Sequence, residues 1–121
     1  MPDTQPEAPK APDTVTIGGS TYKVHAPKSA ARAASVFSSG LDAHVMAAAI
    51  IGLCVDCHGV PWQGKAQVFG ERVFDALQAK RVGLESIHRI GGQLTDLAAS
   101  VILFEQEVAG VEDFIEAPQA G

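Results

Sequence analysis

The stretch LESIHRIGGQLTDLAASVILFEQEV, residues 84–108, decides the fold because its apolar residues recur at alternating steps of three and four. This spacing places their side chains on one stripe of an α-helix. The members of the stripe are Ile87, Ile90, Leu94, Leu97, Val101, Phe104 and Val108. The opposite face is polar, and the same spacing also suits a coiled-coil seam. In a compact chain the pattern favours the core helix of a bundle.

Gly91 and Gly92 interrupt this stretch, and each costs roughly 1 kcal/mol of helix propensity. Such a pair indicates either that another backbone approaches closely or that the helix bends or breaks. We expect one long helix, with a kink at the glycine pair as the alternative.

The composition is that of one small domain. The 121 residues suffice to bury a core, and no apolar run reaches the length of a membrane span. A formal net charge of −5 argues against general nucleic-acid binding. Residues 1–13 contain four prolines and no apolar signal-peptide core, so we expect a disordered lead-in. This start predicts a cytoplasmic protein whose cysteines are reduced.

Residues 14–24 predict a β-hairpin, because apolar and polar residues alternate on both sides of Gly18–Gly19. A glycine pair supplies the positive φ that a tight hairpin turn requires. Three helical patterns follow before the long helix, and Gly40 and Gly83 stand as stop signals for the first and third. The three helical patterns cover residues 28–39, 41–54 and 65–81.

The helical patterns also indicate which faces are buried. The first helix should turn Ala30, Ala34 and Phe37 inward, and the second, apolar nearly all round, should be central. The long helix should end before Gly110, and a short turn should follow. The sequence therefore predicts a mainly α fold, a small bundle of about four helices with a short N-terminal β-hairpin. Its single domain spans residues 14–116, and residues 117–121 form a polar tail.

Cys54-Val55-Asp56-Cys57-His58 matches C-x-x-C-H, the attachment pattern of haem c. Two thiols at this spacing can reach both vinyl groups, and the adjacent histidine can supply an axial imidazole. Covalent attachment normally requires export, however, and both methionines precede the motif, so His88 would have to replace a distal methionine.

Zinc is a second interpretation of the same residues, with His44 or His88 as the fourth ligand beside Cys54, Cys57 and His58. A thioredoxin-like redox pair is weaker, because a helix C-terminus disfavours the thiolate. The favoured interpretation is structural: Cys54 is a small core residue, and Cys57 and His58 belong to a loop. We therefore expect no metal and no cofactor, with haem c as the alternative.

Two further features carry less chemical information. Trp62 lies in a Gly/Pro-rich loop, where it is either an exposed anchor for a partner or a lid over the core. The carboxylates near the end of the chain predict an acidic, solvated terminus rather than a paired acid/base site. No nucleophile motif or phosphate loop is present in the sequence, which favours a non-enzymatic protein.

From Val45 onward three segments stand out: VMAAAIIGLC, VFGERVFDALQAKRVGLESI and a helix ending in EVAGVEDFIEAP. In these segments the chain resembles small tail assembly chaperones, or tail-cluster proteins, of tailed bacteriophages. The hairpin TVTIGGSTYKVHAP is similar to the short β-unit that opens many such proteins. The resemblance implies a helper that binds apolar helical stretches of the tape measure protein until tail tube subunits assemble around them. It also implies residence in the host cytoplasm during assembly, with the virion as an alternative.

The apolar stripe continues toward the C-terminus beyond the residues that most clearly belong to the core. We expect this continuation to form a partner-binding edge. Its predicted members are Phe104, Val108, Val111 and Phe114, with Trp62 as a separate candidate anchor. Self-association is also open, whereas nucleic acid and membrane are not expected as partners. Two alternatives remain: a small c-type cytochrome, and a virion structural subunit whose hairpin augments a neighbour's sheet.

Overall fold

The structure, a computed structural model, describes the backbone of residues 12–120 and the side chains of residues 12–102. An antiparallel β-hairpin is followed by four helices, which confirms the predicted mainly α fold. The predicted lead-in up to position 11 lies outside the described residues. The elements are β1 (Thr14–Ile17), β2 (Ser20–Lys23), α1 (Ala30–Ser38), α2 (Ala43–Cys54), α3 (Ala66–Ala79) and α4 (Leu84–Ala120).

Helix α2 is the centre of the bundle, as its composition predicts. It packs mainly against α3 and α4, and α1 contacts all three other helices. Eight of the twelve residues of α2 are buried, four of them alanine or cysteine. Because a helix covered on several sides must accept several neighbours, its small side chains decide how closely those neighbours approach.

Gly70 of α3 and Gly91 of α4 lie where these helices touch α2. A Cβ atom on Gly91 would lie 2.8 Å from the Cβ of Ala47 and 2.9 Å from its Cα. A Cβ on Gly70 would lie 2.6 Å from Val45 Cγ1. Gly92 has open space instead, and α4 passes the glycine pair without a break. Close backbone approach, the first of the two alternatives, is therefore the reason for glycine at position 91.

Helix α4 begins at the predicted residue and uses the predicted stripe. Ile87, Ile90, Leu94 and Ala98 are buried, whereas Val101 and its neighbour Ile102 are half-buried, so burial decreases along the helix. None of the helices within residues 12–120 combines the length and apolarity needed to cross a membrane.

The predicted end of α4 before Gly110 is wrong, because its helical backbone continues to Ala120. Residues 117–120, predicted to be a polar tail, are helical as well. The physical reason is that one glycine costs roughly 1 kcal/mol within a helix, which weakens the helix without terminating it.

The face that α1 buries differs from the prediction. Ala33 and Val36 are fully buried, whereas Ala30, Ala34 and Phe37 are only half-buried. Several faces of this alanine-rich segment are almost equally apolar, so its pattern could not select one. Ser29 caps the helix, and its Oγ accepts a hydrogen bond from the backbone N–H of Arg32 at 3.2 Å.

Helix α3 ends earlier than predicted, and not at Gly83. The chain reverses at Arg81, whose φ of 65° lies in the left-handed region. The Val82 N–H donates to the Leu77 carbonyl at 3.1 Å, and the Arg81 N–H donates to the Gln78 carbonyl at 2.8 Å. These two bonds form a Schellman motif, and burial of Val82 accompanies it.

The hairpin has the predicted turn and docks through one side. Gly18 and Gly19 have φ values of 60° and 87°, as a primed turn requires. Val15 and Ile17 of β1 are buried. Beyond β2 the chain pairs with the end of α2 through a β-bridge between Val24 and Val55. A short hairpin is only marginally stable by itself, and this bridge supplies additional contacts.

Substitution of Gly91 tests the close approach of α2 and α4. We expect Gly91→Ala to destabilise the protein by about 1–3 kcal/mol, because the added methyl group overlaps Ala47. Gly92→Ala is the matched control, and it should stabilise α4 by roughly 0.5–1 kcal/mol because it meets no neighbouring atom. Urea unfolding followed by circular dichroism measures both. Equal effects of the two substitutions would contradict the packing described.

Candidate functional site

The C-x-x-C-H segment is a junction between α2 and the N-terminal hairpin. Val55 bridges to Val24, and the carbonyl of Cys54 accepts a hydrogen bond from the His25 N–H at 2.9 Å. The backbone at the start of the segment therefore joins the end of α2 to the chain after the hairpin. This placement agrees with the structural interpretation of the motif.

Both cysteines are free and buried. Burial raises the pKa of the Cys54 thiol to about 12. Burial also raises the pKa of Cys57, although the positive charge of Lys80 opposes the shift. Since the thiolate is the reactive form of cysteine, burial lowers the reactivity of both thiols near neutral pH.

The His58 ring uses both of its nitrogens within the loop. Nδ1 accepts a hydrogen bond from the Val60 N–H at 2.8 Å, and Nε2 lies 3.0 Å from the carbonyl oxygen of Gly52. A backbone N–H can only donate and a carbonyl can only accept, so the ring is the neutral tautomer with its proton on Nε2. No nitrogen remains free to act as an axial ligand.

These residues do not fit a haem or zinc site in this arrangement. The Cys54 thiol is enclosed, and both nitrogens of His58 are engaged. The predicted fourth zinc ligands are elsewhere, His44 against the ring of Phe74 and His88 exposed on α4. Within residues 12–102, no three His, Cys, Asp or Glu side chains converge to hold a metal ion.

A cleft of about 210 Å³ opens beside the junction. One wall is apolar and aromatic: the ring centroids of Trp62 and Phe69 are 5.2 Å apart, and the His58 ring meets Phe69 edge-on at 5.8 Å. We call this cavity the junction cleft. Its lining residues are His25, Lys28, Ser29, Arg32, Gly52, Leu53, Asp56, His58, Val60, Pro61, Trp62 and Phe69.

The rim of the junction cleft carries two basic residues, Lys28 and Arg32. The guanidinium carbon of Arg32 lies 5.6 Å from the centroid of the Trp62 ring, within the range of a cation–π contact. His25 Nε2 lies 3.1 Å from Asp56 Oδ1, and its Nδ1 lies 2.8 Å from the carbonyl of Ala26. The hydrogen bond from His25 holds the pKa of Asp56 below its usual range. Lys28 and Arg32 contribute positive charge to the same rim.

Trp62 is half-buried and packs against Phe69. A role for Trp62 in partner binding stays a prediction. The predicted partner-binding residues Phe104, Val108, Val111 and Phe114 lie on the helical backbone of α4, beyond the residues whose side chains are described. The structure brings Trp62 together with His58, but not with His44 or His88.

Local sequence patterns did not indicate the cationic side of the junction cleft. His25 and Asp56 are 31 residues apart, and Arg32 meets Trp62 across 30 residues. One local pattern bears on this cationic side: Ser29 is a typical helix cap, and a helix that begins there has Lys28 and Arg32 within one turn of each other. Nothing in the chain order indicated that this turn would face the loop after α2.

Comparison with known proteins identifies no relative of this chain. No protein-family model matches the chain, and no curated protein or solved structure is significantly similar to it.

Thiol reactivity tests the enclosed state of the cysteines. We expect the native protein to react very slowly with a chromogenic disulfide reagent near about pH 8. The raised pKa of Cys54 lowers its thiolate fraction roughly a thousandfold, and burial excludes the reagent. The same protein in denaturant should release two equivalents of chromophore, and Cys54→Ala and Cys57→Ala assign them. Rapid native labelling of both thiols would contradict the junction described.

Proposed function

We propose that this protein is a non-enzymatic assembly chaperone that binds an apolar helical segment of a partner, as the tail assembly chaperones of tailed bacteriophages bind the tape measure protein. The observation that carries the proposal is the continuity of α4. Its apolar stripe forms the bundle core from Ile87 to Ala98 and continues at the same spacing through Phe104, Val108 and Val111.

The length of α4 supports a surface beyond the core. Its 37 residues span about 55 Å, whereas the 14 residues of α3, the next longest helix described, span about 21 Å. The core residues of α4 occupy only three turns near its start. A helix with a regular apolar stripe in its second half suits the helix-in-groove mode of recognition, in which apolar side chains at steps of three and four anchor the partner.

The charge distribution supports a specific partner chemistry. All nine basic residues precede position 103, together with nine of the fourteen acidic residues, so residues 1–102 have no net formal charge. Residues 103–121 therefore carry the whole net charge of −5. Two such segments would repel each other, which disfavours pairing between copies at low salt. A partner helix with an apolar stripe flanked by Lys or Arg would complement this segment.

The rival functions have less support. A c-type cytochrome needs an accessible thiol pair and a free histidine nitrogen, and the junction engages these groups. A virion structural subunit would use the open edge of the two-stranded hairpin, but the bridge to Val55 and the burial of Val15 and Ile17 bind the hairpin to its own bundle. The chaperone proposal places the protein in the host cytoplasm during assembly.

Charged substitutions on the α4 stripe test the proposed surface. The probe is the tape measure protein encoded in the same phage or prophage genome, co-expressed with this chain. We expect the wild type to keep the tape measure protein soluble and the double variant Phe104→Asp with Phe114→Asp to abolish this, because a carboxylate in an apolar contact costs several kcal/mol. The measurement is the soluble fraction of the partner.

The matched control places the same charges on the other face of the same helix. Gln106 and Ala109 lie roughly opposite Phe104 on a helical wheel. Gln106→Asp with Ala109→Asp should therefore leave the partner soluble. If the tape measure protein is equally soluble without this chain, or if the genome encodes no tail proteins, the proposed function is wrong.

Salt dependence tests the partner's charge. We expect the complex to weaken as salt increases, since opposite charges at the rim of an interface are screened. The triple variant Glu105→Gln, Glu112→Gln, Glu116→Gln should bind roughly tenfold more weakly at low salt and should lose most of the salt response. The control neutralises three exposed acids elsewhere, Glu71, Glu85 and Asp96. An unchanged salt response in the first variant would contradict electrostatic pairing.

A further inference from the structure

We infer that the junction cleft is a binding site for a small anion attached to a single aromatic or apolar ring. The cleft combines an apolar surface with positive charge. Leu53, Val60, Pro61, Trp62 and Phe69 supply an apolar side, and Lys28 and Arg32 supply positive charge at the rim. This inference does not depend on α4 and is separate from the proposed chaperone function.

The charges of the cleft favour an anion. Asp56 is the one carboxylate in the lining, and it pairs with His25 at 3.1 Å. Its side chain is 73% exposed, so solvent screens it further. Among residues 12–102, neither Lys28 nor Arg32 has a carboxylate within 4.0 Å. Lys28 also acts electrostatically on Asp56, so the two cations Lys28 and Arg32 line the same cavity with one exposed carboxylate and leave it a positive excess.

The position of Arg32 is suited to a ligand with a ring. Its guanidinium lies near the Trp62 ring, 5.6 Å from the centroid. An arginine held by an aromatic ring can still direct N–H groups toward a carboxylate or phosphate. An anionic group bound at Arg32 would bring an attached ring against Trp62 and Phe69. The aromatic side of the cleft then removes that ring from water.

The volume limits the ligand. Pockets for drug-sized molecules are about 300–1,000 Å³, and the junction cleft is smaller, at about 210 Å³. One ring with one anionic group suits this space, whereas a dinucleotide or a porphyrin exceeds it. Benzoate and phenyl phosphate both combine one ring with one anionic group. Titration of the protein with each compound shows which of them binds more tightly.

Trp62 provides the measurement, because it is the one tryptophan of the chain and it lines the cleft. We expect phenyl phosphate or benzoate to change its selectively excited fluorescence with saturation, and isothermal calorimetry to give the same affinity. Inorganic phosphate should bind at least about tenfold more weakly than phenyl phosphate, because it lacks the ring. Equal affinity for the two phosphates, or no saturable binding of either ring compound, would overturn the inference.

Variants locate the site. Arg32→Ala should weaken the better ring ligand by at least about tenfold, since it removes a charge-assisted contact. Arg32→Lys should lie between Arg32→Ala and the wild type, because it keeps the charge and loses the planar fork. Arg72→Ala is the matched control, since Arg72 is exposed on α3 outside the cleft. Circular dichroism checks that each variant is folded. Equal weakening by Arg32→Ala and Arg72→Ala would assign the binding to general charge and overturn the site.

Discussion

The close approach of α2 to its neighbours is the constraint on which the rest of the structure depends. Helix α4 crosses α2 with Gly91 against Ala47, and α3 crosses it with Gly70 against Val45. At these separations neither glycine position accommodates a Cβ atom without displacement of the α2 backbone or its side chains. The short distances let three helices share one central helix, so that a chain of 121 residues obtains a continuous core.

The second determinant is the tie between the hairpin and the end of α2. The Val24–Val55 bridge and the hydrogen bond from His25 to the Cys54 carbonyl fix the chain that leads into α1. This tie encloses the thiols and engages the motif that resembles a haem attachment sequence. It also brings Lys28 and Arg32 into the same cleft as Trp62, with Arg32 over the Trp62 ring. One long-range backbone pairing is therefore associated with both the burial of the thiols and the position of the cleft.

Helix α4 connects the fold to the proposed function. Its first half is held by the core, so the backbone direction of the second half is set by folding rather than by the partner. A helix that is already formed has less conformational entropy to lose on binding than a disordered segment. The concentration of acidic residues in this second half keeps an apolar stripe compatible with water and disfavours pairing of like copies.

The sequence by itself determined the elements whose signals are local. The spacing from Ile87 to Val108 gave the long helix, the composition of α2 placed it at the centre, and Gly18–Gly19 gave the hairpin turn. These succeed because periodicity and turn chemistry act over a few residues. The buried face of α1 was not predictable, since its alanines offer several similar faces.

Only the tertiary structure decided the role of Gly91, the burial and hydrogen bonding of the C-x-x-C-H segment and the existence of the junction cleft. A glycine at a helix crossing and a glycine that breaks a helix look alike in sequence, and the difference lies in a neighbour that contacts the helix from elsewhere in the chain. The same is true of His25 with Asp56 and of Arg32 with Trp62, which are joined across about thirty residues. Such contacts follow from how the helices pack, and no local pattern records that packing.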